Sequence, residues 1–293
     1  MDLRAVLMGL GFALMWSSAF TSARIIVADA PPLLALAVRF AISGLIAVLI
    51  ARLLGQSARL SPVQWRATIL FGVCQNALYL GLNFIAMQTV EASLAAIIAS
   101  TMPLLVALLG WLIMGEALRA QAGIGLVIGM IGVALIMGSR FGGGLDLYGV
   151  LLCAIGALAL SIATLSLRGA MSGGNVMMIV GLQMLVGSAA LAPFSLLLED
   201  AHVNWSGELI IAFAYTTLVP GLVATLLWML LVERIGAVRA ATFHFLNPFF
   251  GVLIAALILN EALRPLDLVG VGVIAAGIFL VQTARLQGKS GGS

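Results

Sequence analysis

Charged residues are scarce in this sequence. Only 9% of its 293 residues are charged, whereas 63% are hydrophobic and the mean hydropathy is +1.21. A soluble domain carries about 25% charged residues, because water has to solvate its surface. The composition therefore excludes a soluble globular protein and predicts an integral membrane protein. The net charge of +3 is too small to indicate a nucleic-acid partner.

Three further absences narrow the functional class. The two cysteines, Cys74 and Cys153, lie inside apolar runs and suggest neither a disulfide framework nor a metal site. No phosphate-binding Gly-Lys-Ser/Thr motif occurs between a predicted strand and a helix, so we predict no bound ATP and no cofactor. All eleven carboxylates lie at or beyond the ends of the apolar runs, so the buried acid expected of a proton-driven antiporter is missing.

Ten apolar runs are long enough to cross a membrane, which takes about 20 residues for about 30 Å of hydrocarbon. The segments between them are short, and the longest polar stretches are 55–64 and 199–207. The sequence therefore predicts an all-α integral membrane protein with ten transmembrane helices. The predicted spans are about 4–26, 32–54, 65–87, 91–114, 120–138, 147–168, 175–198, 208–232, 236–259 and 266–285.

Lys and Arg are distributed unevenly among the connecting segments, and cytoplasmic loops are the ones enriched in these residues. If the N-terminus is cytoplasmic, ten basic residues fall on that side and three on the other, with Arg39 inside span two. Both termini are therefore predicted to be cytoplasmic. The ten are Arg4, Arg52, Arg59, Arg66, Arg119, Arg168, Arg234, Arg239, Arg285 and Lys289, and the three are Arg24, Arg140 and Arg264.

The two halves of the chain repeat a pattern at an offset of 145 residues, which relates Pro103 to Pro248, Gly125 to Gly270 and Gly132 to Gly277. The same offset relates Glu-Ala-Leu-Arg at 116–119 to Glu-Ala-Leu-Arg at 261–264. Each copy would hold five spans, and an odd number forces the copies to face opposite ways. Inverted repeats that meet at the midplane are a common design of secondary transporters. We predict a first repeat over 1–138, a linker over 139–146, a second repeat over 147–286 and a disordered tail over 287–293.

These motifs resemble those of the drug/metabolite transporter superfamily. Met-Trp-Ser-Ser-Ala-Phe at 15–20 looks like its opening signature, and the proline-containing fourth and ninth spans each lead to Glu-Ala-Leu. More narrowly, the chain resembles the ten-helix EamA-type exporters, whose two repeats would cover about 5–138 and 148–282, and the aromatic amino acid exporters among them. The resemblance implies a multi-pass inner (plasma) membrane protein that exports small amphipathic metabolites, foremost aromatic and other neutral amino acids, by alternating access.

Polar side chains inside spans are costly in hydrocarbon, so their positions are informative. Gln75, Tyr79 and Asn83 step by four along span three and form one stripe. Such residues also join helices by hydrogen bonds, but three strong hydrogen-bonding groups in one stripe favour a cavity wall. With polar and aromatic residues of spans one and nine, the predicted substrate-binding set is Gln75, Tyr79, Asn83, Trp16, Ser17, Phe20, Phe243, His244 and Asn247.

Proline interrupts spans four and nine. Pro248 removes a backbone hydrogen bond and clashes with the carbonyl of His244, so the helix should bend and leave that carbonyl unpaired. The imidazole could face the substrate or sense protons, or it could be a neutral histidine bonded to an adjacent helix. Pro103 holds the equivalent position in span four. We predict that Pro103 and Pro248 are gate hinges, and kinks used only for packing are the alternative.

Arg39 is, with His244, one of two basic side chains well inside a span. It could extend to the interface, pair with a carboxylate near a span end or meet a substrate carboxylate, and we favour the structural roles. The charged end of a solute would then rely on neutral hydrogen-bonding groups and helix dipoles. A membrane-embedded enzyme would need a buried polar dyad, which the spans lack, so no enzymatic activity is predicted. A structural or assembly protein is the third hypothesis. The predicted partners are a small-molecule solute and the lipid bilayer.

Overall fold

The computed structural model describes residues 3–115, 120–140, 146–166, 175–235 and 240–290, and every regular element in these ranges is helical. Helices suit an apolar chain because hydrocarbon offers no partners to backbone groups. The α-helices are α1 Leu3–Asp29, α2 Pro32–Leu53, α3 Pro62–Phe71, α4 Leu80–Ala86, α5 Ala92–Ala99, α6 Met102–Met114, α7 Ala120–Arg140, α8 Leu147–Ser166, α9 Val176–Leu198, α10 Gly207–Thr216, α11 Ala224–Ile235, α12 Asn247–Leu259 and α13 Pro265–Ser290.

Seven helical segments in the described ranges are long and apolar enough to cross a membrane. Three shorter apolar helices lie where spans five, nine and ten are predicted, so the chain is an all-α, multi-pass membrane protein, and the count of ten stays a prediction. The segment predicted as a disordered tail begins within α13, and residues 291–293 lie outside the described ranges. The seven segments are Leu3–Asp29, Pro32–Leu53, Pro62–Ala86, Ala92–Ile113, Leu147–Ser166, Val176–Leu198 and Gly207–Leu231, and the three are Ala120–Ile136, Asn247–Leu259 and Pro265–Val281.

Two of the spans are not α-helical throughout. A π-helical segment, Gly72–Tyr79, lies between α3 and α4, and a second one, Thr217–Val223, lies between α10 and α11. The two segments begin 145 residues apart, and so do the α-helices that precede them. Runs of π-helix are rare and are frequently found at functional sites. The two irregular segments thus have the same 145-residue offset as the predicted repeat.

The α-helical hydrogen-bond pattern is interrupted at both predicted proline kinks. Pro103 and Pro248 each occupy the second position of a new helix, α6 and α12, which tolerates proline because its N–H would be unpaired anyway. Residues 100–101 separate α5 from α6, and the 3-10 segment Ala241–Leu246 precedes α12. The prediction that the His244 carbonyl is unpaired is wrong. It accepts a hydrogen bond from the N–H of Asn247, because a 3-10 turn pairs residues three apart.

Helices α6 and α12 also end alike. Gly115 and Asn260 both adopt the left-handed conformation, at φ 65° and φ 55°. This is the usual way for a helix to stop, and asparagine is the non-glycine residue that most readily adopts it. The two positions are again 145 residues apart. The Glu-Ala-Leu-Arg sequence that follows Gly115 lies outside the described residues.

A close helix crossing joins α7 to α13. A Cβ atom built on Gly277 would lie 2.6 Å from the carbonyl oxygen of Gly125, and one built on Gly132 would lie 2.9 Å from that of Gly270. Along these two contacts the residue number rises in α7, from 125 to 132, and falls in α13, from 277 to 270. The two helices therefore run antiparallel. Small residues allow this close backbone approach, which drives helix association where lipid is as apolar as leucine.

A second glycine contact joins α2 to α9. A Cβ atom on Gly44 or on Gly181 would lie 3.0 Å from the carbonyl oxygen of the other residue. At the end of this crossing, the Glu199 carboxylate accepts hydrogen bonds from the backbone N–H groups of Leu33 and Leu34, both at 2.8 Å. The pair α2 and α9 is thus fixed both along its length and at one end.

Carboxylates link helices at one end of the molecule, which we call the acidic end and define by Asp29, Asp146, Glu199 and Glu261. Glu261 accepts hydrogen bonds from the N–H groups of residues 92 and 93, at 2.7 and 3.0 Å, where α5 begins. Asp29 accepts one from the Asn204 side chain at 2.9 Å, and Asp146 accepts one from the Thr89 hydroxyl. The hydrogen bond from Thr89, followed by those from the backbone of Gly149 and Tyr148, holds the pKa of the Asp146 carboxyl below its usual value.

Candidate functional site

A cavity lies among the first three spans, α9 and the second π-helical segment. Both π-helical segments contribute to its wall, so the irregular backbone and the cavity coincide. Its aromatic lining is Trp16, Phe20, Phe40, Tyr79 and Phe84, and its other polar lining includes Arg39, Gln75, Asn76, Asn83 and Gln183.

Five of the nine residues predicted to bind substrate lie in this wall: Trp16, Phe20, Gln75, Tyr79 and Asn83. The stripe on span three stays together although part of it is π-helical. Tyr79 and Asn83 are each 1% exposed, so their polar groups face the protein interior rather than lipid. Their binding of a solute stays a prediction.

Two residues outside the predicted set organise the wall. The side-chain amide of Asn76 donates hydrogen bonds to both the backbone and the side-chain carbonyl of Gln183, each at 2.9 Å. This pair connects the first π-helical segment to α9. Asn83 donates to the carbonyl of Tyr79 at 2.8 Å, next to Gly156, where a Cβ atom would come within 2.7 Å of the amide nitrogen. Because Asn76 and Gln183 pair across 107 residues, their sequence positions give no sign of the contact.

Several polar atoms in the wall lack a hydrogen-bond partner. Among the described residues, five buried side-chain atoms are unpartnered, and three belong to the cavity: Arg39 Nε, Gln183 Nε2 and Asn83 Oδ1. A buried polar group without a partner costs about 1–3 kcal/mol. Two unpaired donors and one unpaired acceptor therefore belong to residues that line the same cavity.

Arg39 is not where the structural interpretations put it. Its side chain is 5% exposed, so it does not extend to the interface. Its Cζ lies 4.8 Å from the centre of the Phe40 ring, and a Cβ atom on Gly221 would lie 3.8 Å from its Nη2. No carboxylate in the described ranges lies within ion-pair distance of it. The guanidinium therefore belongs to the cavity wall, and among the described residues it does not make the expected pair with a carboxylate near a span end.

The other four predicted residues lie outside the lining of this cavity. The His244 ring makes edge contacts with Phe12 and Trp228, with centroids 5.3 and 4.9 Å apart, and is 5% exposed. Its Nδ1 lies 2.9 Å from the Asn247 amide nitrogen and accepts a hydrogen bond, since an amide nitrogen only donates. This packing agrees with the interpretation of a neutral, hydrogen-bonded histidine, although its partner is on the same span.

Ser17 and Phe243 belong to the same region as His244. The Ser17 hydroxyl donates to the carbonyl of Asn247 at 3.3 Å. Phe243 packs with Ala5 in a small apolar cluster, and Gly9 leaves the room for its ring. This group of residues ties α1 to the start of α12. Trp16 connects it to the cavity, because the ring of Trp16 lies 5.6 Å from that of Phe12.

Comparison with known proteins identifies one family. The family model of EamA-like transporters matches this chain twice, over residues 3–138 and 147–283. The uncharacterized transporter YvbV of Bacillus subtilis (strain 168) is 27% identical over 274 residues, which cover 92% of this chain and 88% of the relative. The uncharacterized inner membrane transporter YedA of Escherichia coli (strain K12) is 28% identical over 289 residues, which cover 95% and 91%. One crystal structure superposes over the full length of both chains with a TM-score of 0.71 and 22% identity, which shows a common fold.

Proposed function

We propose that this membrane transporter, which belongs to the EamA-like transporter family, exports small amphipathic metabolites, foremost aromatic and other neutral amino acids. The observation that carries the proposal is the cavity wall, which combines aromatic rings with buried hydrogen-bonding groups. Such a wall suits a solute with an apolar ring and a polar end. The resemblance of the sequence to the aromatic amino acid exporter YddG points to the same class of solute.

Alternating access between two inverted repeats is the mechanism we propose. Equivalent helices α7 and α13 run antiparallel through reciprocal contacts, Gly125 with Gly277 and Gly132 with Gly270. Reciprocal contacts of this kind are expected where two similar units are related by a two-fold axis. Two near-equivalent packings of such units would expose the cavity to one side and then to the other. In this arrangement, Pro103 and Pro248 stay predicted hinges, because each begins a helix after a break.

We also propose that the protein has ten spans and that both termini are cytoplasmic. Its location would be the inner (plasma) membrane. The name of YedA places that relative in an inner membrane, which supports this location. A membrane-embedded enzyme is a weaker alternative. Among the described residues, the cavity wall has no carboxylate, histidine or cysteine that could act as a general base or nucleophile.

Single-cysteine labelling tests the topology. Arg59→Cys lies in the predicted cytoplasmic loop and Asp200→Cys in the predicted outer loop, and both positions are exposed. The native Cys74 and Cys153 are buried, so they should give little background. In intact cells a membrane-impermeant maleimide should label position 200 and spare position 59, and permeabilised cells should label both. The reverse pattern, or labelling of both positions in intact cells, would refute the predicted orientation.

Flux in liposomes tests the substrate proposal. The reconstituted protein should transport labelled phenylalanine and tryptophan, with threonine as a smaller neutral amino acid for comparison. Asn83→Leu removes the unpaired Oδ1 from the cavity and keeps the branching of the side chain, so flux at low phenylalanine should fall about tenfold, the equivalent of about 1.4 kcal/mol.

The control is Leu78→Ala, a change at a side chain that is 45% exposed on the same span. Both variants should elute from size exclusion as the wild-type protein does. The absence of flux for all three amino acids would refute the substrate proposal. Loss of folded Asn83→Leu protein, with normal flux in the fraction that folds, would favour a structural role for the amide.

A further inference from the structure

We propose that Arg39 binds the carboxylate of the transported solute, so that the substrates of this protein are carboxylates, with or without an amino group. This inference rests on the proposed transport function and names the chemical group that the cavity recognises. It replaces the expectation that neutral groups and helix dipoles alone hold the charged end of the solute.

The position of Arg39 carries the first step. Its side chain is 5% exposed and lines the cavity between α2 and the second π-helical segment. Its Nε is buried without a hydrogen-bond partner, and in the described ranges no carboxylate neutralises it. Removal of a charge from water is expensive unless a counter-charge compensates for it. A negatively charged group of a solute bound in this cavity would supply that counter-charge.

Gln183 supplies a second donor to the same cavity. Its Oε1 accepts a hydrogen bond from Asn76, which fixes the orientation of the amide. The Nε2 of Gln183 is consequently a committed donor, and it has no partner of its own. A carboxylate has two oxygens that accept several hydrogen bonds, and a guanidinium binds it with two parallel bonds. The unpaired donors of Arg39 and Gln183 therefore match the acceptors of one carboxylate.

Asn83 accounts for the other end of an amino acid. Its amide nitrogen donates a hydrogen bond to the Tyr79 carbonyl, which identifies the other atom of the amide as Oδ1. This oxygen is a buried acceptor without a partner. An ammonium group could donate to this oxygen. The contact of the ammonium with Asn83 has one charged partner, whereas the contact of the carboxylate with Arg39 joins two opposite charges and can form two parallel hydrogen bonds, so the carboxylate contributes more. The carboxylate is thus the required feature of the solute and the ammonium an accessory one.

The experiment measures binding of four compounds that share a phenyl ring. They are L-phenylalanine, 3-phenylpropionate, L-phenylalaninamide and phenethylamine, each titrated into protein in lipid nanodiscs and followed by tryptophan fluorescence, since Trp16 lines the cavity. Phenylalanine and 3-phenylpropionate should bind. The amide and the amine should bind at least about 30-fold more weakly, the ratio that about 2 kcal/mol for a buried charged contact gives.

Variants of Arg39 assign the effect. Arg39→Gln should weaken binding of both carboxylates about 30-fold and leave the weak binding of the amide unchanged. Arg39→Lys should be intermediate, because lysine keeps the charge and loses the two-pronged geometry. Arg52→Gln is the control, since Arg52 lies on the same helix and is exposed.

Each outcome decides the proposal. Equal binding of phenylalanine and its amide to the wild type, no binding of any of the four compounds, or unchanged carboxylate preference in Arg39→Gln would overturn it. If Arg39→Gln does not fold, the wild-type series and Arg39→Lys give the answer. Carboxylate binding without flux in liposomes would refute the proposed amino acid export and leave the assignment of Arg39 intact. Flux of amino acids without a preference for carboxylates would refute the assignment of Arg39 and leave the proposed export intact.

Discussion

Gly277→Val is expected to prevent α7 from packing on α13 and to leave little folded protein. A Cβ atom at this position would lie 2.6 Å from the Gly125 carbonyl oxygen, 2.6 Å from the Gly129 nitrogen and 2.8 Å from its Cα. All three are backbone atoms of a helix, which a rotamer change cannot move. The loss of stability should therefore reach or exceed the upper end of the about 1–3 kcal/mol that overpacking costs.

The matched control is Gly272→Val on the same helix, where a Cβ atom would meet nothing within 4 Å. Its stability should stay close to that of the wild type. Titration of the purified proteins with a denaturing detergent, followed by circular dichroism, gives the two midpoints. Equal midpoints for the two variants would show that the crossing tolerates side chains and that the close approach is not required for folding.

Glu199→Ala is expected to release the start of α2 from the end of α9. Helix α2 begins with Pro31 and Pro32, which have no N–H, and no side chain of its own caps it. The first two donors of the helix, on Leu33 and Leu34, are both bound by the Glu199 carboxylate at 2.8 Å. Alanine leaves them without this partner and removes a negative charge that the helix dipole favours.

The loss should be about 1–3 kcal/mol, the range for an unsatisfied pair of partly buried donors. Hydrogen exchange of the amides of residues 33–36 should accelerate locally, because the change lies at a helix end. Asp200→Ala is the control, since this neighbouring carboxylate is exposed. Equal exchange in the two variants would show that water replaces the carboxylate at no cost and that Glu199 does not hold the start of α2 in place.

The apolar helical spans could be predicted because the signal for each span is local in the sequence. Apolar runs and the paired prolines need no knowledge of neighbours. The stripe of span three also follows from helical spacing, which is why Tyr79 and Asn83 end in the same wall. The predictions for His244 and Asn247 depended on which helix lies beside which, and their region packs against Phe12 and Trp228 instead.

Other parts of the site depend on contacts between distant segments. The Asn76 amide donates a hydrogen bond to Gln183, 107 residues away in the sequence, and the Leu33 N–H donates one to Glu199, 166 residues away. Arg39 could be recognised as unusual because it lies well inside a span, but whether a carboxylate meets it is a property of the folded neighbours. The π-helical segments carry no common sequence signal, since Pro220 occurs in one of them and the first has no proline.

The spacing of the two π-helical segments bears on whether the π turn arose before or after the predicted duplication of the chain. A π turn spans one residue more than an α turn, because its hydrogen bonds run five residues rather than four. Had a single copy gained such a residue after duplication, the offset between the copies would change by one across the segment. It is 145 for the helices before the segments, α3 and α10, and 145 for the left-handed residues after them, Gly115 and Asn260. This constant offset is what we expect if the irregular turn was already present before the predicted duplication.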